Sequence, residues 1–95
     1  MSNRDAYEQK VQAKLDELQA ELDKLKAKAD AAEADARIEQ EQEIDRLEAK
    51  RDELREKLDE LRNASDDAWD DIKQGAERAW SSLSESLERA RSRFK

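Results

Sequence analysis

Two interleaved series of apolar residues open the chain. Val11, Leu18, Leu25 and Ala32 fall seven apart, and so do Leu15, Leu22, Ala29 and Ala36. Their alternating steps of four and three are those of a coiled-coil seam, which predicts a helix with one apolar stripe. The large side chains sit towards the N-terminus, and from residue 27 the seam is alanine, which buries little area. A second register follows. Leu47, Leu54, Leu61 and Ala68 form one series, and Ile44, Arg51, Leu58 and Ser65 the other. Arg51 stands at a seam position, where it either sets register or snorkels from a loosely packed site.

The registers join through Ala32, Ala36, Gln40 and Ile44 in steps of four, a stutter that unwinds a supercoil without breaking the helix. No Gly, Pro, Asn or Ser occurs between residues 4 and 62. That continuity predicts one long coiled-coil helix over 4–62, about 88 Å at 1.5 Å per residue. A partial repeat agrees with it: residues 16–25 match 52–61 at six of ten positions, an offset of 36 residues. The rival is a turn within 28–37 made without turn residues, which converts the architecture into a three-helix bundle.

The clear break is at 63–65. Asn63 is suited to end a helix in a left-handed conformation, and Ser65 to cap the next, with Asp66 and Asp67 in its first turn. The next helix is expected over 66–93. Trp69, Ile72, Trp80, Leu83, Leu87 and Phe94 lie on one face at steps of three, four and their sums. Gly75 within it is either a soft point or a place of close packing. The fold class expected is therefore all-α: a long coiled-coil helix (1–62), a break (63–65) and a shorter antiparallel amphipathic helix (66–95), forming a helical hairpin, with the three-helix bundle as alternative.

In the hairpin reading the short helix covers only the second half of the long one. Val11, Leu15, Leu18, Leu22, Leu25, Ala29, Ala32 and Ala36 are then left as a self-association stripe, and a homo-oligomer follows, a dimer before higher orders. The face from Trp69 to Phe94 closes the core, meets another protein, or lies on a membrane surface.

Composition narrows the chemistry. The 95 residues carry 26 acids and 19 bases, a net charge of -7, with one Gly and no Pro, Cys or His. Disulfides, thiol nucleophiles, Cys/His zinc sites, imidazole bases and glycine-rich phosphate loops are excluded. Val, Ile, Leu and Phe number 15, too few for a monomeric globule with a deep core to be expected. No enzyme activity and no cofactor are expected. Asp66, Asp67, Asp70 and Asp71 read as helix N-terminal acids rather than a metal site. Arg89, Arg91, Arg93 and Lys95 read as C-terminal cations, and the acidic chain is not expected to bind nucleic acid. With neither an N-terminal apolar run nor a spanning segment, a cytoplasmic protein is expected.

The segment from Ala34 through Leu61, the run Asp66-Asp-Ala-Trp-Asp-Asp-Ile-Lys73 and the ending Ala90-Arg-Ser-Arg-Phe-Lys95 resemble small bacterial coiled-coil proteins of uncharacterised function. The most specific part is the Trp69–Phe94 amphipathic module. The resemblance implies an all-helical coiled coil and no known activity. The function expected is a structural or protein-interaction role as an oligomeric scaffold, spacer or adaptor, with reversible membrane-surface binding through the C-terminal helix as the alternative.

Overall fold

The computed structural model describes residues 3–94, so Lys95 of the basic ending lies outside the described residues. Three helices follow one another: α1 (Asn3–Asp30), α2 (Ala34–Asn63) and α3 (Asp66–Arg93). They make an up-down-up bundle, 50 Å long and about 20 Å across. The all-α class holds. Of the two arrangements, the chain takes the three-helix one, because the expected continuous helix over 4–62 breaks at 31–33.

Energetics favour the break. A straight helix leaves Val11, Leu15, Leu18, Leu22 and Leu25 in water, and burying such side chains is worth about 1.5–3 kcal/mol each. Interrupting a helix forfeits a few backbone hydrogen bonds at roughly 1 kcal/mol each. The alanine-rich stretch is where straightness contributes least. All five large residues are buried in the folded chain, together with Ala29.

The turn is built without left-handed backbone. No described residue has positive φ, and Glu33 precedes α2 in an extended conformation (φ -65°, ψ 157°). Ala31 N–H still donates to the Ala27 carbonyl, and Ala32 N–H to that of Ala29. Arg37 then reaches back from the first turns of α2, its Nη2 donating to the Asp30 carbonyl (2.8 Å) and its Nε to that of Ala29 (3.4 Å). An arginine side chain thus does the capping that glycine usually permits.

The second turn uses the same device. Ser65 is the expected cap, its Oγ accepting from Ala68 N–H. Asn63 departs from expectation: it remains right-handed, and its Nδ2 donates to the Asp59 carbonyl. The α2 terminus is closed from α1 instead, where Arg4 Nη2 donates to the carbonyls of Leu61 (3.0 Å) and Ala64 (2.9 Å).

The middle helix carries the packing. Ile44, Leu47, Leu54, Leu58 and Leu61 of α2 are all buried, and Leu47 and Leu61 are wholly inaccessible. Polar rungs fix α1 antiparallel on α2: Arg62 donates to Gln12, Arg51 to Gln19, and Lys26 to Glu48. Arg51 is therefore a placed polar contact at its seam position, also paired with Asp52 and Glu48. α3 also runs antiparallel to α2, tied by Lys50 to Ser82 and by Arg93 to Glu43. Glu43 is a buried carboxylate that also accepts from Arg46.

Candidate functional site

The stripe expected to seek a second copy is filled from within the chain. Val11, Leu15, Leu18, Leu22, Leu25 and Ala29 belong to the common core, Ala32 is half-buried and Ala36 is exposed. The C-terminal face is docked as well. Trp69, Leu83, Leu87 and Phe94 are buried, while Ile72 and Trp80 pack at its margin, half-buried. Among the described residues Ile38 is the one large apolar side chain that is exposed, at 58%.

What the three helices leave open is the face between α1 and α3. Both pack on α2, yet among the described residues no Cα of α1 comes within 8 Å of one in α3. They run parallel and meet through long side chains. Lys73 Nζ lies 4.9 Å from the Tyr7 ring centroid, and Lys14 Nζ 4.5 Å from that of Trp80. Both contacts have the same sequence offset of 66, the register of a parallel pair.

At the end where both helices begin, Trp69 is clasped. The Tyr7 ring meets it edge-on at 5.6 Å and 79°. Arg4 and Lys73 stand over its ring at 5.6 and 5.7 Å. Such cation–π contacts contribute roughly 0.5–1 kcal/mol each where they are partly solvated. Arg4 also pairs with Asp66 (2.8 Å), whose side chain is almost fully exposed.

Further along, the separation becomes two adjoining clefts with Trp80 and Lys14 in both. One, of about 270 Å³, is lined by Tyr7, Lys10, Val11, Leu54, Glu77 and Ser81 besides. The other, of about 370 Å³, adds Glu17, Leu18, Glu21, Ser84, Leu87, Glu88 and Arg91. At its far end Arg91 bridges the helices, donating to Glu21 (3.1 Å) and Glu88 (2.6 Å).

Charges on this face respond to their surroundings. Burial pushes the Lys14 ammonium below its ordinary value and Lys10 adds to the fall, while Glu77 and Glu17 oppose it. Burial raises the Tyr7 phenol, and the Glu77 carboxylate adds to the rise. The hydrogen bond to Glu21 raises Arg91 further into its charged range.

This arrangement combines buried apolar side chains at the base of the clefts, a half-buried tryptophan at mid-length and a rim of both charges. Among the described residues no group of carboxylates is placed to hold a metal ion, and no helix is long and apolar enough to cross a membrane.

Sequence reasoning placed Trp80 and Leu87 on the α3 apolar face and Leu18 in the α1 stripe, but missed Arg4, Tyr7, Lys14, Arg37 and Glu43. A signal existed for part of this set. Tyr7, Lys14 and Glu21 fall seven apart beside the Val11–Leu25 stripe, as Lys73, Trp80 and Leu87 do in α3. Flanking heptad positions of that kind are where neighbouring helices exchange contacts. Comparison with protein-family models, with curated proteins and with solved structures finds no match to this chain.

Proposed function

We infer that the chain is a non-enzymatic protein-interaction module, a rigid helical bundle that acts as a scaffold, spacer or adaptor and makes its contacts through the α1–α3 face. The observation that carries this reading is the allocation of apolar surface. The stripes of all three helices are committed to one core, and the half-buried aromatic surface that remains is the groove around Trp80. Tryptophan at the centre of a charged rim is the anatomy of a protein contact rather than of a reaction centre.

Membrane-surface binding draws on the same residues at higher cost. Trp69, Leu83, Leu87 and Phe94 are buried against the other helices, so lipid adsorption by that face has first to open the bundle. The net charge of -7 adds repulsion from anionic lipid.

A photoreactive amino acid at Ser81, on the groove, compared with one at Asp52, on the outer side of α2, tests the reading in cells. Discrete protein adducts from Ser81 that are absent from Asp52 are expected. Identical adduct patterns from the two positions, or none from Ser81, would overturn it.

A further inference from the structure

The groove is charged unevenly along its length. Where the two helices begin, its rim carries Lys10 and Lys14 from α1 and Lys73 from α3, with Glu77 among them. Beyond Trp80 it carries Glu17, Glu21 and Glu88, with Arg91 held between the last two. One half is therefore net basic and the other net acidic, and Trp80 lines both clefts where they meet.

A surface of this layout is complementary to itself when inverted. We propose that the occupant of the α1–α3 groove is a second copy of this chain, docked face to face and end for end about a two-fold axis near Trp80. The proposal rests on the reading of the groove as a protein-contact surface and names the partner.

The geometry follows from the register. An axis lying across the groove sets α1 against α1 and α3 against α3 of the second copy, each pair antiparallel. Lys10 and Glu21 are symmetric about the level between Leu15 and Asp16, and so are Lys14 and Glu17. The same axis brings Lys73 within about a turn of Glu88 of the second copy on α3. Each pairing occurs twice, as an isologous interface requires. A parallel dimer brings the three lysines against three lysines, so the charge layout selects against it. The two Trp80 side chains meet near the axis, shielded by the charged rim, where interface tryptophans contribute most. These contacts span about 17 Å of α1 from Lys10 to Glu21. The partners stay separately folded, because the core residues of each copy remain in their own bundle.

The decisive experiment exchanges the charges. The Lys10→Glu, Lys14→Glu chain has an all-acidic α1 rim, and the Glu17→Lys, Glu21→Lys chain an all-basic one. Sedimentation velocity of each alone, and of the two mixed, reads the assembly, with circular dichroism confirming that both remain helical. The wild-type chain is expected to dimerise, and more weakly as salt rises. Each variant alone is expected to dimerise at least about tenfold more weakly, a loss of about 1.4 kcal/mol. The mixture is expected to recover a dimer holding one chain of each kind. A wild-type monomer at high concentration, or a dimer that survives both exchanges unchanged, overturns the inference.

The mass of the Ser81 photo-adduct separates this failure from that of the functional reading. An adduct of twice the chain mass supports the second copy. An adduct with a different protein, beside a monomeric wild-type chain, rejects the homodimer and leaves the groove as a protein-contact surface. No adduct and no dimer reject both.

Discussion

The Arg37 guanidinium closes the end of the helix that precedes its own, donating from Nη2 to the Asp30 carbonyl at 2.8 Å. Its Nε is directed at the Ala29 carbonyl, which belongs to a buried residue. Through Arg37 the last turn of α1 is satisfied without any residue of the turn itself supplying a side chain.

Removing that side chain exposes how much the turn depends on it. Hydrogen bonds from a charged donor are worth about 1.5–3 kcal/mol in favourable surroundings, and less where water replaces them. Arg37→Ala is expected to destabilise the chain by about 1–2 kcal/mol in urea unfolding followed by circular dichroism. Arg37→Lys should recover part of this, since one ammonium cannot reproduce the two-point geometry of the guanidinium. A change within the ordinary surface range of about 0.5 kcal/mol would refute the capping role.

Arg4 offers a sharper division between carbonyl capping and ion pairing. It donates to Leu61 and Ala64 carbonyls and also to Asp66, whose side chain is 92% exposed. An ion pair with so exposed a partner is worth about 0–1 kcal/mol, so the carbonyl bonds dominate. Arg4→Ala is expected to cost about 2 kcal/mol, and Asp66→Asn less than about 0.5 kcal/mol. A double-mutant cycle should give a coupling nearer the smaller figure. A coupling that accounts for most of the Arg4 loss shows the ion pair to be the main interaction.

These two arginines also explain what could be read along the chain and what could not. Helix was legible throughout, because Val11, Leu15, Leu18, Leu22 and Leu25 keep a four-three rhythm in a background of strong helix formers. The α3 start was legible because Ser65 precedes Asp66 and Asp67, a local pattern with a local cause. The break at 31–33 was legible only as the rival turn within 28–37, because Ala31, Ala32 and Glu33 are not the usual turn residues and the carbonyls before them are met by Arg37 from the next helix. Straight and folded chains share one heptad pattern, and only the burial of the early leucines distinguishes them. The groove was half legible. Trp80 stood out by type, whereas Tyr7 and Lys14 acquire their roles from a parallel neighbour some 66 residues away, which the packing of both helices on α2 creates.

Gly75 is the simplest stabilising target. It lies within α3 with ordinary helical backbone, and nothing there requires a missing side chain. A methyl group added to it meets the aliphatic part of Lys57 at 3.5 Å, a normal van der Waals distance. Gly in a helix interior costs about 0.5–1 kcal/mol relative to Ala through backbone entropy. Gly75→Ala is therefore expected to raise stability by that amount in denaturant unfolding. A destabilised variant shows that α2 and α3 approach too closely here for a Cβ.

Core truncation should separate the central helix from the rim. Leu47 is wholly inaccessible in α2, the helix that both others pack against. Leu47→Ala is expected to cost about 2–5 kcal/mol, the range for a buried leucine replaced by alanine. Ile38, 58% exposed on the same helix, should tolerate alanine within about 0.5 kcal/mol. Equal effects at the two positions contradict the packing described.

Two groups on the groove should make stability respond to alkaline pH in opposite senses. Lys14 has its value lowered from an ordinary 10.5, first by burial and next by Lys10. The folded state sheds this proton earlier than the unfolded chain, so Lys14 adds stability as pH rises from its lowered value towards 10.5. Tyr7 has its value raised from 10.0, first by burial and next by Glu77. The folded state holds that proton longer, so its contribution is complete below 10.0 and is lost as pH climbs through the raised value. Tyr7→Phe removes only the second effect. Compared with the wild type, this variant is expected to fare better at about pH 11 than at about pH 8, with urea midpoints as the measure. Lys14→Met should behave oppositely, faring worse against the wild type at the higher pH. Tyr7→Phe and wild-type midpoints that stay parallel from about pH 8 to 11 would show that Tyr7 titrates alike in the folded and unfolded chain.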